Sequence, residues 1–265
     1  MIAMLPGGLE VAYDDVGSGT PVLFIHGWPH DRSLWAAQMS GLQTQARCIA
    51  PDLRGFGDTS VAPPYSIDQY ADDLVALLAM LGVERAVVCG LSMGGYVALA
   101  MLRRHREVFR GLILTSTRAT ADTPEAREKR LKLIEFVGEQ GMQALAARQL
   151  KAMVGETTFN SRPDVLEALR FMMAQAPIEG VVGGLRAMAD RRDSTDLLAG
   201  IDFPTLVVSG AEDTFTVPEE MRTLAETIPG SRLEVIQGGG HVCPYEKPAA
   251  FNHVVGEYLA TLEYD

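Results

Sequence analysis

The segment Val87–Gly95 reads V-V-C-G-L-S-M-G-G, an apolar run followed at once by a turn of small residues. The pattern Gly-x-Ser-x-Gly is common by chance, so it is informative only where a strand precedes it and a helix follows it. Both conditions hold here, because Ala86–Leu91 has the pattern of a buried strand and Met93–Arg104 that of a helix with a basic end. The segment therefore predicts a sharp strand-to-helix turn with Ser92 at its tip.

Glycines flank this predicted turn for a steric reason. A residue at the tip of such a turn has strained backbone angles, and Cβ atoms at positions 90 and 94 would collide with it. Gly95 lets the following helix pack closely. The start of that helix, with its free amide groups, favours a developing negative charge, so we predict that Ser92 is a catalytic nucleophile.

Short apolar runs with helical segments between them recur on both sides of the turn. Runs of this length indicate strands that are buried on both faces, as in a mainly parallel sheet covered by helices. The chain is therefore predicted to have an α/β fold. The predicted strands are Val22–Ile25, Cys48–Ala50, Ala86–Leu91, Leu112–Thr115, Leu206–Ser209 and Leu233–Ile236. The predicted helices are Ile67–Leu81, Met93–Arg104, Glu219–Thr227 and Pro248–Leu259.

Strand patterns disappear between Thr117 and about Ile201, where the sequence is charged and helical. A helical insertion in an otherwise alternating pattern is typical of a cap over one edge of a sheet. We predict a core of residues 1–118 and 201–265 and a helical cap of residues 119–200. The predicted cap helices are Glu125–Gly138, Gln143–Val154 and Pro163–Gln175. A further cap segment, in which glycines would permit a hinge, contains Gly180, Gly183 and Gly184.

A base and an acid are predicted at the same edge of the sheet as Ser92. His241 lies in a loop of small residues after the last predicted strand, from which an imidazole can reach the serine and activate it. Asp213 follows the preceding strand and is preferred to Glu212 as the acceptor of the imidazole N–H, with Asp122 as a more distant alternative. The order serine, aspartate, histidine is the one expected for this architecture.

The loop His26–Pro29, after the first strong strand, can turn a peptide amide toward the same edge. We predict that the N–H groups of Trp28 and Met93 form an oxyanion hole. His26 is predicted to stabilise the loop by hydrogen bonding, and His30 to lie on the loop surface or at a pocket rim.

Composition limits the possible partners and the location. The 265 residues are 47% hydrophobic and 22% charged, as in an ordinary globular protein, and the net charge of −11 argues against a nucleic-acid partner.

The three cysteines are too few and too scattered for a disulfide framework or a metal cluster, and Cys243 is interpreted as a packing residue. No secretory signal or membrane span is apparent, so we expect a cytoplasmic protein without a membrane partner. The cysteines are Cys48, Cys89 and Cys243.

Five motifs together resemble those of the α/β-hydrolase superfamily, and within it the carboxylesterase and 3-oxoadipate enol-lactonase group. They are H-G-W-P, P-D-L-R-G-F-G-D-T-S, G-L-S-M-G-G, G-A-E-D and G-G-H-V-C-P-Y-E-K-P. The resemblance implies a cap inserted after the sixth strand, a structural role for Pro51–Ser60, and no cofactor or metal. Related haloalkane dehalogenases and epoxide hydrolases attack with an aspartate, so the serine argues against both activities.

The predicted function is hydrolysis of small acyl or aryl esters through an acyl-enzyme on Ser92. A lactonase remains open, with Arg186, Arg191 and Arg192 as cap arginines that could serve it. A perhydrolase or cofactor-free haloperoxidase, a transacylase and a non-enzymatic ligand receptor are further alternatives. The predicted lining of the substrate pocket is Trp28, Phe136, Phe159, Phe171, Met172 and Met173.

Overall fold

The computed structural model describes residues 1–262, and its centre is one eight-stranded sheet. The strands are β1 (Ile2–Met4), β2 (Glu10–Gly17), β3 (Pro21–Ile25), β4 (Arg47–Pro51), β5 (Ala86–Leu91), β6 (Phe109–Thr115), β7 (Thr205–Gly210) and β8 (Arg232–Ile236). Their spatial order is β1-β2-β4-β3-β5-β6-β7-β8. Strand β2 runs antiparallel to both β1 and β4, and β3 to β8 are parallel. The predicted mainly parallel sheet is confirmed.

Strands β1 and β2 were not predicted from the sequence. Strand β2 reads E-V-A-Y-D-D-V-G, in which only Val11–Tyr13 is buried, so it has no continuous apolar run. Its Asp15 forms an ion pair with Arg47 of β4 (2.7 Å), and this cross-strand pair explains why a carboxylate is tolerated there. Antiparallel strands at a sheet edge need no apolar residues on both faces.

Helices cover the sheet on two sides. They are α1 (Ala36–Leu42), α2 (Ile67–Met80), α3 (Met93–Arg104), α4 (Pro124–Met153), α5 (Glu156–Ser161), α6 (Pro163–Gln175), α7 (Ile178–Ala189), α8 (Thr195–Leu198), α9 (Pro218–Thr227), α10 (Cys243–Glu246) and α11 (Pro248–Ala260). Alternate residues of β3 belong to two separate apolar clusters. Leu23 and Ile25 pack in the first cluster, and Val22 and Phe24 pack in the second. This alternation is what a strand buried on both faces requires. Among residues 1–262, no helix combines the length and hydropathy needed to cross a bilayer.

Helices α4 to α8 lie between the sixth and seventh strands, inside the predicted cap of residues 119–200. Helix α4 is broken at Gly141, whose φ of 74° is not helical, and the break separates the two helices predicted for this stretch. Helices α5 and α7 were not predicted.

The three cap glycines proposed as a hinge lie inside helix α7, where they are points of close packing. A Cβ at position 180 would overlap the carbonyl group of Gly55, and one at position 183 would overlap the ring of Tyr65. A Cβ at position 184 would come within 3.0 Å of the ring of Trp28. These glycines therefore let α7 approach the loops of the core.

Candidate active site

Ser92 stands between β5 and α3 with φ 54° and ψ −113°, a conformation that L-residues rarely adopt. A Cβ at Gly90 would overlap the carbonyl group of Gly94, and a Cβ at Gly94 would overlap that of Ile25. Both glycines are sterically required, but the groups that a Cβ would meet are Gly94 and the end of β3, and not Ser92 as predicted. A strained residue persists only where its surroundings hold it from several sides.

The end of β6 holds Ser92 through both of its peptide groups. The Ser92 N–H donates to the carbonyl oxygen of Thr115 (2.9 Å), and the Thr117 hydroxyl donates to the carbonyl oxygen of Ser92 (2.7 Å). The Thr117 side chain also fills the space beside Gly95, where a Cβ would overlap it. We infer that Thr117 is a positioning residue for Ser92.

Replacing Thr117 by valine is expected to lower kcat about 5-fold while KM stays nearly constant, because one buried hydrogen bond to the turn is lost at constant shape. Thr117→Ser should restore kcat. Thr115→Val is the matched control, since the buried Thr115 hydroxyl lies against the Cys89 thiol and makes no hydrogen bond to Ser92. Steady-state kinetics on a short ester would measure all three, and equal loss in the valine and serine variants would contradict the role of the hydroxyl.

The predicted base and acid lie in line with Ser92. The His241 Nε2 is 2.8 Å from the Ser92 Oγ, and its Nδ1 is 2.9 Å from the Asp213 Oδ2. The other carboxylate oxygen of Asp213 accepts the amide hydrogens of Phe215 (2.8 Å) and Thr216 (2.9 Å). Burial raises the pKa of Asp213, but the attraction of His241 and these hydrogen bonds outweigh it, so the pKa lies below its usual value.

Two peptide N–H groups belong to residues beside Ser92, that of Trp28 in the loop after β3 and that of Met93 at the start of α3. The N–H groups of Trp28 and Met93 donate to no acceptor within residues 1–262. A Cβ at Gly27 would lie 3.3 Å from the Ser92 Cβ, so this loop approaches the serine closely. Two unused donors beside a serine are what an oxyanion hole requires.

The remaining predicted histidines are both buried. The His26 Nδ1 donates to the Gly27 carbonyl (3.0 Å), and its Nε2 accepts the Leu53 N–H (3.0 Å), which matches the predicted structural role. His30 is 1% exposed, so the prediction of a surface position was wrong. Burial lowers the pKa of His30 to about 3, and the imidazole is therefore neutral.

The two alternative acids have other partners. Glu212 accepts the N–H of Thr157 in α5 (2.8 Å), and Asp122 forms ion pairs with Arg130 and Arg191. Neither lies against His241 in the hydrogen-bond network of the described residues. This leaves Asp213 as the carboxylate in contact with the imidazole.

The junction between α4 and α5 is bonded to both loops that carry the predicted acid and base. The carboxylate of Glu246 accepts the amide hydrogens of Gly155 in the cap (2.8 Å) and Gly240 beside the histidine (2.7 Å). The Val242 N–H donates to the Met153 carbonyl (3.1 Å). A Cβ at Gly240 would overlap the backbone at Gly155, so the two chains touch directly. We call residues Met153–Thr157 the cap anchor.

Ser92 opens into a cavity of about 120 Å³ between the core and the cap. Its core side is formed by Trp28, Ser92, Tyr96, Arg118, Phe215, Thr216 and His241. Its cap side is formed by Arg130, Leu133, Gln149, Met153, Leu185 and Met188. Ligand pockets for larger molecules are roughly 300–1,000 Å³, so this cavity suits a small substrate.

Of the predicted pocket residues, Trp28 lines this cavity and the others do not. Phe171 is 65% exposed, because Leu169, Met172 and Met173 form the buried face of α6. Phe159 is partly exposed beneath the Lys151 ammonium group. The prediction was wrong at these positions because helical spacing does not say which face meets the cavity. The remaining residue, Phe136, stacks under the guanidinium group of Arg148 (4.7 Å).

Comparison with known proteins places the chain in a family. Residues 20–248 match the family model described as the alpha/beta hydrolase fold. The chain belongs to the α/β-hydrolase family. This confirms the family and the fold that the sequence motifs predicted.

Three relatives of this α/β-hydrolase cover nearly its whole length. A 3-oxoadipate enol-lactonase from Acinetobacter baylyi is 32% identical over 88% of this chain and 86% of the relative. The structure of a thermophilic esterase from Thermogutta terrifontis, with malate bound, is 42% identical, with a TM-score of 0.96 over 100% of this chain and 99% of that one. The structure of a putative non-heme bromoperoxidase from Mycobacterium tuberculosis is 28% identical, with a TM-score of 0.80 over 96% of this chain and 97% of that one.

Sequence reasoning missed the two arginines that line the cavity of this α/β-hydrolase. Arg118 follows β6 at the carboxyl edge of the sheet, and that position alone could have marked it. Arg130 lies in a charged stretch of α4 that carries no distinguishing pattern. The arginines considered instead lie elsewhere, with Arg191 buried against Asp122 and Arg186 on the surface.

Proposed function

We propose that the chain hydrolyses small carboxylic esters through an acyl-enzyme on Ser92. The observation that carries this proposal is the hydrogen-bonded line from Ser92 through His241 to Asp213, at 2.8 and 2.9 Å, at the edge of the cavity of about 120 Å³. A serine is weakly nucleophilic until a neighbouring base takes its proton. The pairing of a buried carboxylate with the far side of the imidazole is the arrangement that makes His241 such a base.

In the proposed reaction, Ser92 Oγ attacks the ester carbonyl carbon while His241 Nε2 takes the hydroxyl proton. The resulting oxyanion accepts hydrogen bonds from the N–H groups of Trp28 and Met93. Collapse of the tetrahedral intermediate releases the alcohol, which receives its proton from His241, and leaves the acyl group on Ser92. Water then attacks the acyl-enzyme with His241 as base, and the acid departs. These steps use side chains and peptide groups of the chain alone.

A serine-directed fluorophosphonate probe and a panel of substrates would test the proposal. We expect labelling at Ser92, and turnover of short-chain esters of simple alcohols. Adding methanol or hydrogen peroxide to the same assay would reveal transacylation or perhydrolysis as competing fates of the acyl-enzyme. A folded protein that neither labels nor turns over any ester or lactone would instead support a ligand receptor.

A second candidate, favoured by one observation, is an ester or lactone that itself carries a carboxylate. Asp122 binds both Arg130 and Arg191, so this buried group keeps one net positive charge. Among residues 1–262, the acceptor of the Nη1 of Arg130 is the thioether sulfur of Met188 (3.4 Å), which is a weak partner. Arg130 therefore presents a strong donor to the cavity that Ser92 also lines. A malate-bound esterase and an enol-lactonase among the relatives agree with such a substrate.

Replacing Arg130 by methionine is expected to lower kcat/KM for a succinate mono-ester by roughly 10- to 100-fold, since a charge-assisted hydrogen bond to the substrate is lost. A butyrate ester of the same alcohol should change by no more than about 3-fold, because it makes no such bond. Asp122 keeps Arg191 as its partner in this variant. Arg186→Met is the matched control on the cap surface, and equal losses on both esters would contradict carboxylate recognition.

We further propose a cytoplasmic location. The support for it is that Cys48, Cys89 and Cys243 are all unpaired and buried, as suits a reducing compartment.

A further inference from the structure

Arg118 separates the catalytic cavity from a second, larger groove. The same side chain lines the cavity of about 120 Å³ at Ser92 and an outer groove of about 450 Å³. The groove lies between the end of β6, the short helix α8 and helix α9. Its walls include Leu198, Leu224, Thr223 and Thr227, which make it amphipathic.

The contacts that hold the Arg118 side chain in place can break. Its guanidinium group pairs with Glu220, donates to the carbonyl oxygen of Phe215 and bonds to the hydroxyl of Tyr96. The two charged side chains are 33% and 43% exposed, and exposed ion pairs add little to stability because water solvates both partners when they separate. Rotation of one long, flexible side chain would therefore join the two spaces without moving a helix.

The position of Arg118 indicates which part of a substrate would enter the groove. Arg118 is bonded to Phe215, and the Phe215 ring packs against His241 at 5.1 Å between ring centres. His241 must protonate the departing alcohol, so the alcohol part of an ester lies on the histidine side of Ser92. The groove therefore continues the space on the leaving-group side.

We propose that Arg118 is a specificity-determining residue, a side-chain gate through which the alcohol part of larger esters extends into the groove beside α9. This inference rests on the proposed ester hydrolysis. With the gate closed, the cavity accepts esters of small alcohols. With it open, the leaving group is bound by the leucine and threonine side chains of the groove.

Two pairs of esters would test the gate. Ethyl acetate and 3-phenylpropyl acetate differ only in the alcohol, whereas ethyl acetate and ethyl 4-phenylbutyrate differ only in the acyl group. We expect Arg118→Ala to raise kcat/KM for 3-phenylpropyl acetate about tenfold relative to ethyl acetate. The ratio between the two ethyl esters should stay the same. Glu220→Gln, which keeps the arginine and weakens its ion pair, should shift the first ratio in the same direction by less.

Thr223→Trp places a bulky ring on the exposed face of α9 that borders the groove. Combined with Arg118→Ala, it should remove the gain on 3-phenylpropyl acetate. A gain that survives in the double variant, a gain on the bulky acyl group instead, or unchanged ratios in both single variants would overturn the proposal. Failure of the ester hydrolysis itself is a separate outcome, in which the wild-type chain turns over none of the three esters and Ser92 is not labelled.

Discussion

Replacement of Ser92 by alanine is expected to lower kcat on a short chromogenic ester by about 10⁵- to 10⁶-fold. The variant keeps the cavity, the proposed oxyanion donors and the His241–Asp213 pair, but it has no oxygen on which an acyl-enzyme can form. Alanine is also smaller than serine, so the crowded turn between Gly90 and Gly94 should tolerate it. Initial rates with a sensitive chromogenic ester, together with probe labelling, would measure the loss.

Cys243→Ala is the matched control for this experiment. Cys243 lies two residues after the predicted base and is the other nucleophilic side chain in that loop. Burial raises the pKa of its thiol well above the usual value, so it holds little thiolate at neutral pH. The variant should keep its labelling and most of its turnover. Strong labelling of the Ser92→Ala variant would place the nucleophile elsewhere.

Replacement of Asp213 by asparagine is expected to lower kcat by about 10³- to 10⁴-fold. The amides of Phe215 and Thr216 donate to one oxygen of Asp213, and they would keep the asparagine oxygen in that place. The NH₂ group would then face His241 Nδ1 and donate to it. The imidazole would be protonated on Nε2, where it can no longer accept the Ser92 proton.

The neighbouring Glu212→Gln is the control for this variant. Glu212 bonds to Thr157 rather than to the imidazole, so its change should lower kcat by less than about tenfold. If the asparagine variant retained the wild-type rate, the carboxylate at 213 would have no part in proton transfer.

Some residues could be placed in the fold from the sequence alone, and others could not. Ser92, Asp213 and His241 follow strands of one parallel sheet, and the carboxyl ends of such strands meet at one edge. Their convergence could be predicted without knowing any packing detail. The proposed oxyanion donors could be named for the same reason, since Trp28 lies in the loop after β3 and Met93 is the first residue of α3, both at that edge.

The helices inserted between β6 and β7 could be predicted in part, but their orientation could not. Whether a helical residue such as Phe171 faces the cavity or water depends on how its helix packs, and this information is spread over the whole chain. Arg130 illustrates the difficulty, because it lies at the cavity while bonded to Asp122 and Met188, and the sequence does not show either contact. The missed strand β2 has another cause: paired charges replace the apolar pattern that marks a buried strand.

The cap anchor has a consequence for recombining this protein with its relatives. Exchanging cap segments is a natural way to alter substrate preference. A crossover near Gly155 would disturb the bonds that the amides of Gly155 and Thr157 donate to Glu246 and Glu212, which lie next to the base and the acid in sequence. A crossover at Gly141 avoids them, because a side chain there would meet open space and the helix is already interrupted. The Pro124–Gln140 half of α4 could therefore be exchanged as a unit, while the cap anchor is kept together with the core.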